Sequence, residues 1–132
     1  VDTGKVRFIL REFPLDQLAL AAAAVARCAP EDQFFDVIHT MFEDQAKWAY
    51  VEQPGAALIE LMKPFGMTEE TINACVANQQ LVEDIVMTLR TASEKFGVHG
   101  TPAFFINGKR FGGALSLADM DAAIAPLLPA AN

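Results

Sequence analysis

The residues best placed to do chemistry fall in one short stretch, Val98-His99-Gly100-Thr101-Pro102-Ala103-Phe104-Phe105-Ile106-Asn107-Gly108-Lys109-Arg110-Phe111. A Thr-Pro step just ahead of an apolar run is a place where a cis peptide bond is worth its cost, because only X-Pro bonds adopt cis cheaply. A cis bond at Pro102 turns the backbone of the preceding residue, so that Thr101 can pair in strand fashion with an extended peptide. Pro102 itself has no N–H to donate. The plainer alternative is a trans proline that opens a strand. His99 adjoins the step. Its near-neutral titration is the general reason to watch it, against the reading of an ordinary solvated or hydrogen-bonded loop residue. His39 lies in a helical stretch away from any second ligand and reads as structural.

The two cysteines, Cys28 and Cys75, are the other candidates. They form no Cys-x-x-Cys motif and no metal-ligand set. Three readings stand side by side. They are two buried thiols packing as small hydrophobes, or a structural disulfide, or a redox-active pair.

Composition narrows the class. The chain has 132 residues, enough for one domain with a real core. Its 52% hydrophobic and 20% charged residues mark a globular chain and not a disordered one. A formal charge of −7 with scattered Lys and Arg argues against a nucleic-acid surface, which needs clustered cations. No apolar run approaches the ~20 residues of a membrane helix; the longest, Leu18 to Ala26, is mostly Ala. The sequence opens at Val1 without a leader-like segment, which suits a processed product or a fragment.

Several elements must position these residues. Lys5 to Leu10 has the length and the Val, Phe and Ile of a strand covered on both faces. Leu15 to Ala29 is Ala-rich and helical by propensity. After Pro30, a helix carries Phe34, Ile38, Met41 and Phe42 at i, i+4, i+7 and i+8, an inner face that Trp48 and Tyr50 extend as core packing. An exposed apolar patch there is the alternative, one that grips unfolded substrates. Arg11-Glu12 reads as a surface pair of little weight.

Pro54-Gly55 opens a short helix with Leu58, Ile59, Met62 and Phe65. Gly66 closes it and Thr68 caps the next, which carries Cys75. Gln79 to Phe96 is the cleanest amphipathic helix, with Val82, Ile85, Val86, Leu89 and Phe96 on one stripe. Asn107-Gly108 is a strong type I′ hairpin signal. Ser116 and Asp119 form a capping box for a last helix with Leu117, Met120, Ile124, Leu127 and Leu128 inside.

This order resembles the DsbA-like thiol–disulfide oxidoreductases, a thioredoxin-fold family with a helical segment inserted into the fold. Phe8 to Leu15, the region from Cys28 to Phe42, and Val98 to Gly113 carry the resemblance, and Gly-Thr-Pro-Ala-Phe-Phe-Ile-Asn-Gly is its most specific part. The resemblance implies an α/β thioredoxin-like fold: residues 1–14 and 78–132 form a partial domain and 15–77 the helical insertion. It also implies a cis bond at Pro102, substrate binding by Gly100, Thr101 and Pro102, and a redox-tuning role for His99. The oxidising, periplasmic compartment of the family favours a structural Cys28–Cys75 disulfide. Unfolded or reduced proteins would be substrates and a redox protein the partner, with no cofactor, nucleic acid or membrane insertion.

The chain departs from the family in one respect. It lacks the first strand and the helix that carries Cys-x-x-Cys, and begins where the second strand would be. The expectation is therefore a fragment that supplies the cis-proline loop and the insertion but not the redox cysteines, and that is inactive alone. Its open strand edges would be filled by an N-terminal segment or by a second copy. Two rivals remain: a glutathione-dependent isomerase or transferase on the same scaffold, and a peptide-binding module without chemistry.

Overall fold

The computed structural model describes residues 1–128. Residues 129–132, the end of the expected partial domain, lie outside the described residues. In chain order the elements are α1 (Gln17–Arg27), α2 (Phe34–Glu43), α3 (Gln45–Trp48), α4 (Pro54–Met62), α5 (Glu69–Ala77), α6 (Gln79–Phe96), β1 (Ala103–Ile106), β2 (Lys109–Gly112) and α7 (Leu117–Ile124). Short 3₁₀ turns precede α2 and follow α4 and α7. The chain divides into two compact units. Pro14–Leu89 is one, and Val1–Phe13 with the chain from Arg90 onward is the other.

The helical unit is built on the alanines of α1. Asp16 caps that helix, its Oδ1 accepting from the Ala19 N–H at 2.7 Å. Ala22, Val25 and Ala26 meet Val37 and Met41 of α2, Trp48 of α3, Leu58 and Met62 of α4, and Ile72 of α5 in one core. Small side chains also let Ala23 and Ala24 pack on Ile85 of α6, with Leu20 and Leu81 at the margin. Val25, Val37, Met62 and Ile85 are the largest fully buried side chains, each stabilising the fold by roughly 1.5–3 kcal/mol. Trp48 buries its ring and donates from Nε1 to the Met41 carbonyl at 2.8 Å, tying α3 back to α2. Thr68 and Thr71 cap α5 reciprocally. Gly66, at φ 75, ends the 3₁₀ turn after α4 in the left-handed region that favours glycine.

In this unit the expected inner face of α2 turns by one position. Val37 is fully buried beside Phe34, Ile38 and Met41, whereas Phe42 is 70% exposed. Tyr50, at 77% exposed, is likewise no core residue. The reason is local. α2 ends at Glu43 and the chain restarts helically at Gln45, so Trp48 takes the inner position and Tyr50 falls outside it.

The other unit holds a two-stranded antiparallel sheet with Ala103 opposite Gly112, Phe104 opposite Phe111, Phe105 opposite Arg110 and Ile106 opposite Lys109. Asn107 (φ 45) and Gly108 (φ 83) make the two-residue turn that this register demands. The Ser116–Asp119 box caps α7. Several expectations fail here. Lys5 to Leu10 forms no strand. A strand exists only through its ladder bonds, and among the described residues β1 pairs with β2 alone. Leu117, expected inside, is 87% exposed: it shares the Met120–Ile124 side of α7 but is the helix's opening residue, at its end. Glu12, expected on the surface, is buried. No buried side-chain polar atom among the described residues lacks a hydrogen-bond partner, as a buried carboxylate requires.

Candidate functional site

The candidate site is a loop of four exposed residues, His99-Gly100-Thr101-Pro102, held at both ends. At its start, α6 terminates at Gly97, whose φ of 63 turns the chain out of the helix. Val98 then buries its side chain, and its N–H donates to the Ala92 carbonyl at 3.0 Å. At its end, the Pro102 carbonyl accepts from the Gly113 N–H at 3.0 Å, so the loop is tied to the far end of the hairpin. Gly113 has φ 80 and reaches that position without strain. The Thr101–Pro102 peptide bond is cis.

Between these anchors the side chains of His99 and Thr101 make no hydrogen bond or ion pair to the described residues, and both stand in solvent. The arrangement leaves the backbone of Gly100 and Thr101 free for an external partner. Pro102 contributes only its carbonyl, already used inward.

The hairpin that follows the loop carries aromatic and cationic contacts. The Phe96 ring meets the Phe105 ring edge-on at 5.8 Å, joining the end of α6 to β1. Lys109 lies over the Phe111 ring at 5.2 Å from its centroid. The Arg110 guanidinium lies 3.3 Å from where a Cβ on Gly97 would sit. A shallow cavity of about 570 Å³ lies between β2 and α7, lined by Ile106, Lys109, Phe111, Leu115 and Asp119 among others. The Ser116 hydroxyl beside Asp119 holds that carboxyl below the usual carboxylate range. No three His, Cys, Asp or Glu among the described residues are grouped to hold a metal ion.

Cys28 and Cys75 are joined as a disulfide, in the helical unit. Their Cα atoms are 6.3 Å apart, within the span that a disulfide bridges. Cys28 is the C-cap of α1 and is exposed; Cys75 lies in the last turn of α5 and is buried. The expectation that the chain brings no redox cysteines is corrected by this bond. A cystine is itself a two-electron couple, and what the sequence lacks is Cys-x-x-Cys.

Three residues of this stretch that hold the loop have no role assigned to them by sequence. Val98 was one apolar residue among many, and its anchoring role depends on burial. Gly113 read as the end of the hairpin, although a glycine pair after β2 was the available signal. Arg110 faces Gly97 only through the hairpin register.

Comparison with known proteins places this geometry. The Thioredoxin_4 family model, described as thioredoxin, matches residues 1–125. A Rickettsia typhi protein named as a protein-disulfide oxidoreductase is 28% identical over 109 residues, covering 82% of this chain and 40% of its own. A Rickettsia conorii protein of the same name is 28% identical over 113 residues, 85% of this chain and 41% of its own. The chain thus spans about two-fifths of the length of these curated relatives. Among solved structures, Wolbachia pipientis alpha-DsbA1 is similar with a TM-score of 0.85 and 27% identity, over 96% of this chain and 70% of that one. No helix among the described residues is long and apolar enough to cross a membrane.

Proposed function

Because the chain belongs to the thioredoxin family, in its DsbA-like branch, we propose that it is the cis-proline portion of a protein thiol–disulfide oxidoreductase. The observation that carries this reading is the exposed His99–Pro102 loop, tied at both ends. An extended segment of an unfolded or reduced protein pairs along the Gly100–Thr101 backbone, and Pro102 sets the direction of that backbone. The pairing brings a substrate sulfur to a Cys-x-x-Cys that these 132 residues do not contain. There a substrate thiolate attacks one sulfur of the enzyme disulfide, and the other enzyme sulfur leaves as thiolate. The second substrate thiolate attacks the substrate sulfur of the mixed disulfide. The substrate departs with a new S–S bond and its two electrons remain on the enzyme pair, which a redox partner protein then reoxidises. His99, at the start of the loop, is placed to tune the enzyme thiolate.

The remaining parts follow from the same reading. Residues 15–77 are the helical insertion, and 1–14 with 78–132 the partial thioredoxin-like domain. The edge of β1 that no strand covers among the described residues takes a strand from an N-terminal segment or from a second copy. Cys28–Cys75 is structural, and its presence suits an oxidising, extracytoplasmic compartment such as the periplasm.

Insulin reduction by dithiothreitol, followed by turbidity, tests the proposal with two samples. One is the 132-residue chain; the other carries the family's strand and Cys-x-x-Cys helix at its N-terminus. Acceleration in the second alone is expected. Equal acceleration by the 132-residue chain, abolished by Cys28→Ala, would move the exchange to Cys28–Cys75. Acceleration by neither would leave a peptide-binding module, or glutathione chemistry, in its place.

A further inference from the structure

Charge is divided unevenly along this chain. Pro14–Leu89 holds twelve Asp and Glu against three Lys and Arg, a formal −9, while the remaining residues hold five against seven, a formal +2. Within the acidic unit, α2 presents an aromatic face to solvent. Phe35, His39 and Phe42 fall at i, i+4 and i+7 and so share one side of the helix, opposite Val37 and Met41. Phe35 is 52% and Phe42 70% exposed. Carboxylates run beside them: Asp32 in the preceding turn, then Asp36 and Glu43, with Glu43 Oε2 3.2 Å from His39 Nε2. Lys47 is held by its neighbour Asp44 and Lys63 by Glu60.

We propose that this face of α2 docks a basic amphipathic segment of another protein. Its apolar side chains cover Phe35 and Phe42, and its Lys or Arg side chains meet Asp32, Asp36 and Glu43. The charge fixes the occupant. A formal −9 repels acidic peptides, anionic lipid and nucleic acid, and it attracts a cationic helix at long range. The Phe42 ring, 70% exposed, also receives Lys and Arg by cation–π contact. Rings two turns apart suit a helical ligand whose anchors recur at the same spacing. The proposal does not depend on thiol exchange.

The probe is a fluorescein-labelled 16-residue amphipathic peptide of Leu and Lys, with a Leu and Glu peptide of the same pattern as control. Fluorescence anisotropy should show binding of the first, with Kd rising about tenfold from 50 to 300 mM salt as screening grows. Phe35→Ser with Phe42→Ser should weaken binding about tenfold at every salt concentration. Asp32→Asn with Asp36→Asn and Glu43→Gln should flatten the salt dependence. The matched variant Glu60→Gln, Glu70→Gln, Glu83→Gln, elsewhere on the same unit, should leave Kd within about twofold. Should the serine pair fail to fold, Asp36→Lys at an exposed position makes the same discrimination and should weaken binding. Equal binding of the Leu and Glu peptide overturns the proposal. So does an equal loss in the matched variant, which would reduce the effect to overall acidity.

Discussion

Removing the Cys28–Cys75 bond should cost the helical unit a large part of its stability without opening a route to exchange. The bond closes a span of 47 positions. Loop-closure entropy for that length amounts to about 4 kcal/mol at 25 °C. Against a typical total of ~5–15 kcal/mol, this is a substantial fraction. The positions of the two sulfurs oppose reduction in the folded state as well. Cys28 caps the C-terminus of α1 and Cys75 occupies the last turn of α5. Both thiolates would form at the negative ends of helix dipoles, the reverse of the N-terminal setting that activates a cysteine. Burial of Cys75 raises the cost of its thiolate further.

The assay is guanidinium unfolding followed by circular dichroism, on the oxidised chain and on the Cys28→Ala, Cys75→Ala variant. A loss of about 4 kcal/mol is expected, equivalent to a fall in Tm of roughly 15 °C for a chain of this size. Thiol titration of the native protein with millimolar dithiothreitol should release thiols no faster than the chain unfolds. A loss under about 1 kcal/mol, or rapid native-state reduction, would refute the reasoning. Either result would give the pair the redox role left open beside the structural one.

Two further outcomes follow from the loop and its hairpin. Gly97→Ala places a Cβ on a residue at φ 63 and within 3.3 Å of the Arg110 guanidinium. A destabilisation of about 1–2 kcal/mol is expected by thermal melting, and Gly97→Ala with Arg110→Ala should recover only the steric part. Asp119 has a carboxyl held below its ordinary range by the Ser116 hydroxyl and N–H. Because the folded-state value is depressed, the contribution of this box is present above the ordinary carboxylate range and is lost as pH falls below it. An NMR titration should show the Asp119 midpoint rising in Ser116→Ala; an unchanged midpoint would remove the hydroxyl as its cause.

What could be read from sequence was what chain neighbours decide. α6 runs from Gln79 to Phe96 as its apolar stripe required, and Asn107-Gly108 turns the hairpin because both positions need positive φ. The caps at Thr68 and Ser116 are contacts across three residues, and they form where the side chains announced them. What could not be read depends on distant partners. Lys5 to Leu10 has the composition of a strand, yet composition supplies no ladder. Phe42 and Leu117 lie at apolar positions of helices, but periodicity gives only the angle around the axis and not what covers that angle. Three readings of Cys28 and Cys75 stayed open in sequence because pairing requires the C-terminal ends of α1 and α5 to meet, and only the packed alanines of α1 bring α5 that close.

The candidate loop combines both kinds of information. Its candidate residues, His99 to Pro102, are contiguous and stand out in the sequence. Its shape is set by two bonds that reach outside it, Val98 to Ala92 and Gly113 to Pro102. Those bonds use the backbone of the residues on either side and leave the donors and acceptors of Gly100 and Thr101 unspent. A loop held only by its own side chains would satisfy them internally, through Asx- or Ser/Thr-type turns. Here the polar groups are presented outward on a frame fixed at each end, which is the condition for strand-like pairing with a second chain.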